Sequence, residues 1–451
     1  MKFMNKLEDK LMPLASALGS NKYLVSVRDG FLVTMPLLII GSFFMLINYF
    51  PIQPWIDLLS ETTIAGISIS ALLSTATTAT FSLFAIFAVM GIAYHFSRHM
   101  EITPIHGAAV ALVSWFMLMP MYTLYLPEGA AEAVRVSSIP FDWVGTKGIF
   151  IGIVCAFSSI HLYKFIVNKG WVIKMPEGVP PTVGRSFASL IPAAFVMVVF
   201  VLINLLFRFT PWENAFDFVF RFLQLPLQNV SNSMGAMVLI YLFAHILWFF
   251  GIHGTNITDT VFRPILIALS GENLEALQSG LKMPNIINQQ FQDLFATYGG
   301  GGSTLSLLIA ALLFCKSKRL KDLSKLSIFP GIFGINEPVI FGLPIVLNVT
   351  LLLPFIFVPM INIIITYIVM AIGLVPICNG VIMPWTTPPI ISGFLSSGWR
   401  GAVFQFIMVT LGVFLYLPFV RSLDKQYLKE ESETINKGNE EDLGALSFDD
   451  I

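Results

Sequence analysis

Long apolar runs alternate with short polar breaks along the chain, and in the first half the runs have the length of membrane spans. They fall at about Phe31–Phe50, Thr77–Phe96, Ile105–Tyr125, Ile149–Val167 and Phe187–Phe207. A helix of about 20 residues crosses a hydrocarbon core of about 30 Å, so each run predicts one crossing. Between them, Pro51–Ser68 holds Asp57 and Glu61 but no Lys or Arg, and Leu126–Trp143 holds a single arginine, Arg135. Basic residues collect instead at the N-terminus, near Arg98, and from Lys164 through Lys169 and Lys174 to Arg185. That alternation predicts a cytoplasmic N-terminus and five crossings. Phe3–Leu18, with Lys2, Lys6, Glu8, Asp9 and Lys10 on its polar side, predicts a helix lying in the interface rather than a cleavable signal sequence. Pro211–Leu225, with Phe216, Phe218, Phe220 and Phe222 among Glu213, Asp217 and Arg221, predicts a second interfacial helix that links two halves.

The second half is less regular. Met234–Phe250 reads as a span, Ile257–Leu269 as a helix leading into a polar loop at Gly271–Lys282, and Ile286–Ala296 as helical. Gly299–Gly302 reads as a flexible joint and Ser303–Phe314 as another span. The most basic loop, Lys316 through Lys325, predicts a cytoplasmic segment. Ile328–Asn348 is apolar yet broken by Pro330, Gly331, Gly334, Pro338, Gly342 and Pro344, which a straight spanning helix does not tolerate; it reads as a re-entrant hairpin. Ile377–Phe394 is interrupted in the same way by Pro384, Pro388 and Pro389, between spans at about Leu351–Ile372 and Val403–Val420. The predicted fold is an all-α integral membrane protein with about ten transmembrane helices, two re-entrant hairpins and interfacial amphipathic helices. Its predicted parts are a five-helix half (1–210), an interfacial linker (211–228), a substrate-binding half (229–425) and an acidic, disordered tail (426–451).

Composition narrows the function classes. The 451 residues are 56% hydrophobic and 12% charged, with a mean hydropathy of +0.79. Soluble domains carry roughly a quarter charged residues, so a soluble enzyme is excluded. A net charge of −1 argues against a nucleic-acid partner. Cys155, Cys315 and Cys378 lie in or beside apolar runs and read as small core residues. The histidines have no Cys or carboxylate at ligand spacing, so neither a metal nor a cofactor is expected.

Candidate chemistry gathers at the breaks. Glu337 is the one ionisable residue in the broken stretch, and a carboxylate at membrane depth marks function unless it is paired structurally. Pro338 after it predicts that Asn336 and Glu337 start a half-helix, which aims backbone donors at the site. His253 precedes Gly254, and Thr255 or Asn256 suits a helix cap; a satisfied structural histidine is the plainer alternative. His245, within a span, reads as structural. Trp248 and Trp385 are either interfacial anchors or stacking surfaces for a sugar ring. Asn285, Asn288, Gln289 and Gln292 supply amides that can donate and accept to hydroxyls at once, or form a polar loop and helix end.

With these residues in view, the chain resembles the membrane component, enzyme IIC, of the sugar phosphotransferase system, in its lactose/cellobiose/diacetylchitobiose family and nearest to the diacetylchitobiose type. The resemblance is carried by Met175–Pro181, by Trp248-Phe-Phe-Gly-Ile-His-Gly254, by Gly334-Ile-Asn-Glu-Pro-Val-Ile-Phe-Gly342 and by Met383–Pro389. It implies a homodimer joined through the first five helices, in the cytoplasmic membrane with both termini inside. It implies a β-linked disaccharide of diacetylchitobiose or cellobiose type, held by Trp248, Gly254, Asn285, Asn336 and Trp385. It also implies His253 and Glu337 beside the hydroxyl that becomes phosphorylated, with a separate cytoplasmic enzyme IIB as phosphoryl donor. Broken helices and a midplane carboxylate fit a proton-coupled sugar symporter as well.

Overall fold

The computed structural model describes residue 17 and residues 20–446, apart from 51–52, 128–132, 177, 250–252, 344 and 346–348. The expected interfacial helix at Phe3–Leu18 lies outside the described residues except for Ala17. The fold is helical, as expected. Among the described residues seven helices are long and apolar enough to cross a membrane, or eight if one pair bent by 76° counts as a single span.

Helix α1 (Lys22–Asn48) opens on Asn21, whose side chain accepts from the Tyr23 and Leu24 amides. It begins earlier than its apolar run because the charges in its first turns are neutralised, Arg28 meeting Asp29 at 2.7 Å. After α2 (Gln53–Glu61) and a short strand pair, β1 (Thr63–Ile64) with β2 (Ile67–Ser68), comes α3 (Ile69–Thr77). A π-helical turn at Thr78–Ser82 joins it to α4 (Phe84–His99). Helices α1 and α4 cross where both lack a side chain: a Cβ on Gly91 would lie 2.7 Å from the Gly30 carbonyl oxygen. Small residues at such a crossing let backbones approach, which is how helices associate in lipid. Helix α5 (Pro104–Leu118) is shorter than expected, because the chain leaves it for a hairpin of β3 (Tyr122–Tyr125) and β4 (Val134–Ser137). After α6 (Phe141–Val144), α7 (Ile149–Asn168) and α8 (Pro181–Ala188), α9 (Leu190–Arg208) completes this half, packing on α5 and α7. The linker is α10 (Ala215–Val219), a π turn and α11 (Leu225–Ser231).

The second half departs from expectation in three places. After α12 (Met234–Phe249), helix α13 runs unbroken from Gly254 to Gln278, through the stretch expected as a polar loop. Asn273 there is buried and bonded, donating to the carbonyls of Asn285 at 2.7 Å and Cys378 at 3.0 Å. The segment expected as helical from Ile286 starts only at Asn288, which caps the single turn α14 (Gln289–Phe291) before a π turn to Ala296. Helix α15 (Thr304–Phe314) is followed by α16 (Lys318–Ile332), which takes up the basic segment and carries Pro330 in its last turn. The break in the expected hairpin thus falls at Phe333–Asn336, before α17 (Glu337–Gly342). Helix α18 (Val349–Ala371) then leads through an irregular stretch to α19 (Ile391–Leu446), kinked at Ser397–Gly398. Helix α19 continues to Leu446, into the segment after 426.

Candidate functional site

A cavity of about 360 Å³ opens among the breaks of the second half, within the size range of small-molecule sites. It gathers Trp248, His253, Asn336, Glu337 and Trp385, which lie as much as 137 residues apart in sequence. His253 is the N-cap of α13. Its Nδ1 accepts from the Asn256 amide at 3.3 Å, so in the neutral ring the proton sits on Nε2. The Trp248 indole lies against this imidazole, with ring centroids 4.2 Å apart. Glu337 and Asp259 line the same cavity as this ring.

Glu337 begins α17, with Pro338 in the first turn, where a missing amide hydrogen costs no helix bond. The cap residue Asn336 keeps its side chain out of the helix: Nδ2 donates to the Gly301 carbonyl at 2.8 Å. Glu337 is left exposed on the cavity wall while Asn336 is buried. Gly334, at φ +81°, makes the turn before them, and a Cβ there would lie 3.1 Å from the Trp385 ring. The absent side chain lets that indole lie over the backbone, half exposed to the cavity.

The adjoining wall is the glycine run. It is a clamped wall rather than the flexible joint expected. Gly299, Gly300 and Gly302 have positive φ, as does Ser303. The Gly302 amide donates to His245 Nε2 at 3.0 Å, and the Gly302 carbonyl accepts from the Tyr416 hydroxyl at 2.5 Å. His245 donates from Nδ1 to the Tyr241 carbonyl at 2.8 Å, so both ring nitrogens are bonded and the ring is structural.

Two expected contacts are not in the cavity. Gly254 is buried, and a Cβ there would collide with the Ala244 carbonyl, so it serves helix packing. Asn285 is buried and fully bonded elsewhere. Its Nδ2 donates to Glu272 at 2.8 Å and to the Leu269 carbonyl, and its Oδ1 accepts from Asn232 at 3.0 Å. An amide beside a proline looks the same in sequence whether it faces a cavity or ties two helices together.

The structure adds a charged floor. Arg263 meets Asp259 at 3.2 Å and Asp293 at 3.5 Å, and Gln292 donates to Asp259 at 2.7 Å. All four line the cavity. The signal for them was present, an Asp–Arg pair at helical spacing inside an apolar chain. A second set of residues holds the walls. Buried Gln405 accepts from the Ile390 and Gly393 amides at 2.6 and 2.8 Å and donates to the Leu294 carbonyl at 2.8 Å. The arrangement offers the half-exposed face of Trp385, with Trp248 buried behind His253, several amides and hydroxyls, a carboxylate and a histidine, which suits a hydroxyl-rich ligand about to lose a proton.

Comparison with known proteins identifies the family. The family model for the phosphotransferase system EIIC matches residues 28–359. The lichenan permease IIC component of Bacillus subtilis is 39% identical over 95% of this chain and 96% of its own length. The cellobiose-specific EIIC component of Geobacillus stearothermophilus is 38% identical over 97% of this chain and 98% of its own. The crystal structure of the transporter ChbC, the IIC component from the N,N'-diacetylchitobiose-specific phosphotransferase system, superposes with a TM-score of 0.90 at 39% identity. It covers 94% of this chain and 99% of that one. The chain therefore belongs to the EIIC family, the membrane-embedded sugar permeases of the phosphotransferase system.

Proposed function

We propose that this permease binds a β-linked disaccharide of diacetylchitobiose or cellobiose type and carries it across the cytoplasmic membrane while a separate enzyme IIB phosphorylates it. The observation that carries the reading is the meeting of Glu337 and His253 in one cavity, beside Trp248 and Trp385. The half-exposed Trp385 indole offers an apolar face for a sugar ring, Trp248 backs His253, and the floor of Asp259, Arg263 and Gln292 offers donors and acceptors for the hydroxyls. Glu337 accepts a hydrogen bond from the 6-hydroxyl. As the phosphoryl group leaves the donor cysteine, the sulfur–phosphorus bond breaks, the new oxygen–phosphorus bond forms, and the hydroxyl proton passes to Glu337 or His253. The product brings a phosphate dianion next to Glu337, and the repulsion favours release into the cytoplasm.

Two finer parts of the proposal rest on separate features. Both termini lie in the cytoplasm, in keeping with the basic start of α16. The protein pairs as a homodimer through the first five helices. In keeping with that, 17% of the most apolar window of the span holding α9 is buried within one chain, against 56% for the span holding α7.

The test is uptake of radiolabelled diacetylchitobiose and cellobiose into vesicles, with and without phosphorylated enzyme IIB inside. Accumulation as sugar phosphate, and only with the donor, is expected. Glu337→Gln lowers its rate by about 100-fold or more, the typical worth of a positioned acid or base. Free sugar accumulating on an imposed proton gradient without the donor would instead identify a symporter.

A further inference from the structure

We propose that Asp424 and Glu431, near the polar end of α19, are positioning residues that latch the far end of α16 and thereby hold Glu337 in register with the cavity. The inference rests on the reading of Glu337 given above.

The first amides of a helix have no partner within it. In α16 they are bonded one after another by two carboxylates from a helix more than 100 residues on. Asp424 accepts from the Lys316 amide at 3.0 Å and the Ser317 amide at 2.8 Å. Glu431 accepts from the Ser317 hydroxyl at 2.8 Å, the Arg319 amide at 3.1 Å and the Lys318 amide at 3.4 Å. The Ser317 hydroxyl oxygen takes the Leu320 amide, and the Lys321 amide then returns to the Ser317 carbonyl at 3.2 Å, where regular helix bonding starts. Residues 424 and 431 are two helical turns apart and so share one face of α19. Tyr427, on the same face, has its ring 4.3 Å from the Arg319 guanidinium. Both carboxylates also meet the positive end of the α16 dipole.

At its other end α16 has no loose joint. The Ile335 amide returns to the Pro330 carbonyl and the Gly334 amide to the Gly331 carbonyl, both at 3.1 Å. The Asn336 carbonyl opens α17 and its side chain is fixed to Gly301. Glu337 therefore sits at the tip of a rod of 15 residues, about 22 Å long at 1.5 Å per residue. The helix that latches this rod also carries Tyr416 and Gln405, which hold two other walls of the cavity. One continuous element thus sets the glycine wall, the 389–393 wall and the Glu337 arm relative to each other. Small shifts of a reacting group cost rate much more than they cost binding.

The experiment uses the full chain in nanodiscs. Amide hydrogen exchange is followed in wild type, Asp424→Ala, Glu431→Ala, and the pair Asp424→Asn and Glu431→Gln, which keep an acceptor oxygen. The alanine variants are expected to exchange at least tenfold faster at both 316–320 and 334–337, and the amide variants to recover most of the protection. Sugar phosphorylation with enzyme IIB should fall about tenfold in kcat for the alanine variants, with the disaccharide Kd, read by tryptophan fluorescence, within twofold of wild type. Faster exchange confined to 316–320, or unchanged kcat despite faster exchange at 334–337, overturns the proposal. If Asp424→Ala does not fold, Glu431→Ala decides by the same criteria. The exchange measurement needs no phosphoryl transfer, so a wild type that fails to phosphorylate sugar sinks the functional reading separately from the latch.

Discussion

Ser26, Thr34, Ser42 and Gln405 are all buried polar residues, yet the first three and the last do different work. Ser26 donates to the Lys22 carbonyl, Thr34 to that of Phe31 and Ser42 to that of Leu38, each within its own helix. Gln405 joins α19 to the backbone of residues 390 and 393 and to Leu294. The contrast runs through the chain. In the first half most small buried polar residues fold back on their own helix, while Asn48, Trp115 and Asn204 reach carbonyls of other segments. In the second half the breaks leave amides and carbonyls without helical partners, and buried side chains supply them: His245 and Tyr416 at the glycine run, Asn336 at Gly301, and Asn273 at Cys378. Irregular backbone at membrane depth persists only with such support. With that support the broken half shapes its polar cavity.

The charged floor should break that contrast most strongly. Arg263 is mostly buried between Asp259 and Asp293. Replacing it with methionine leaves two carboxylates facing each other, an expected loss of about 3–5 kcal/mol. Thermal unfolding of the purified protein reads this directly, and adding Asp259→Asn and Asp293→Asn to Arg263→Met should restore most of the stability. A single variant as stable as wild type would mean the floor is not held by charge.

The sequence made the regular half readable because each crossing is one apolar run. It misplaced ends where charges are paired, as at Arg28 and Asp29, where a run turns into a hairpin, as at Tyr122, and where a π turn joins two helices, as at Thr78–Ser82. In the second half, Trp248, His253, Asn336, Glu337 and Trp385 were visible because they stand beside glycine and proline breaks, and the structure brings them to one cavity. What hid was support from far along the chain. The glycine run looked flexible because its clamps are 57 and 114 residues away, at His245 and Tyr416. The contacts of Glu431 were hidden because the groups it bonds lie 112 to 114 residues earlier. Asp259, Arg263 and Asp293 hid within helical segments, where no break advertised them.

A smaller loss is expected at Gln405. Leucine there fills similar space but strands the Ile390 and Gly393 amides, and an unsatisfied buried donor costs about 1–3 kcal/mol. Because Pro389 and Ser392 line the cavity, the loosened wall should weaken disaccharide binding as well as stability. Titration by tryptophan fluorescence alongside a melting curve separates the two. Lower stability with unchanged affinity would place Gln405 in the scaffold alone.

The smallest effect tests the other side of the comparison. Ser42 is as buried as Gln405, but its hydroxyl bonds only the Leu38 carbonyl, 2.8 Å away and already part of the α1 ladder. Ser42→Ala removes the hydroxyl and strands nothing, since the carbonyl keeps its helical amide partner. Alanine also has the higher helix propensity. The expected change is within about 0.5 kcal/mol in unfolding, with disaccharide affinity unaltered. If Ser42→Ala cost as much as Gln405→Leu, burial alone would set the value of a polar group in this protein. The dependence of the broken half's backbone on its side chains would then fail where it is easiest to check.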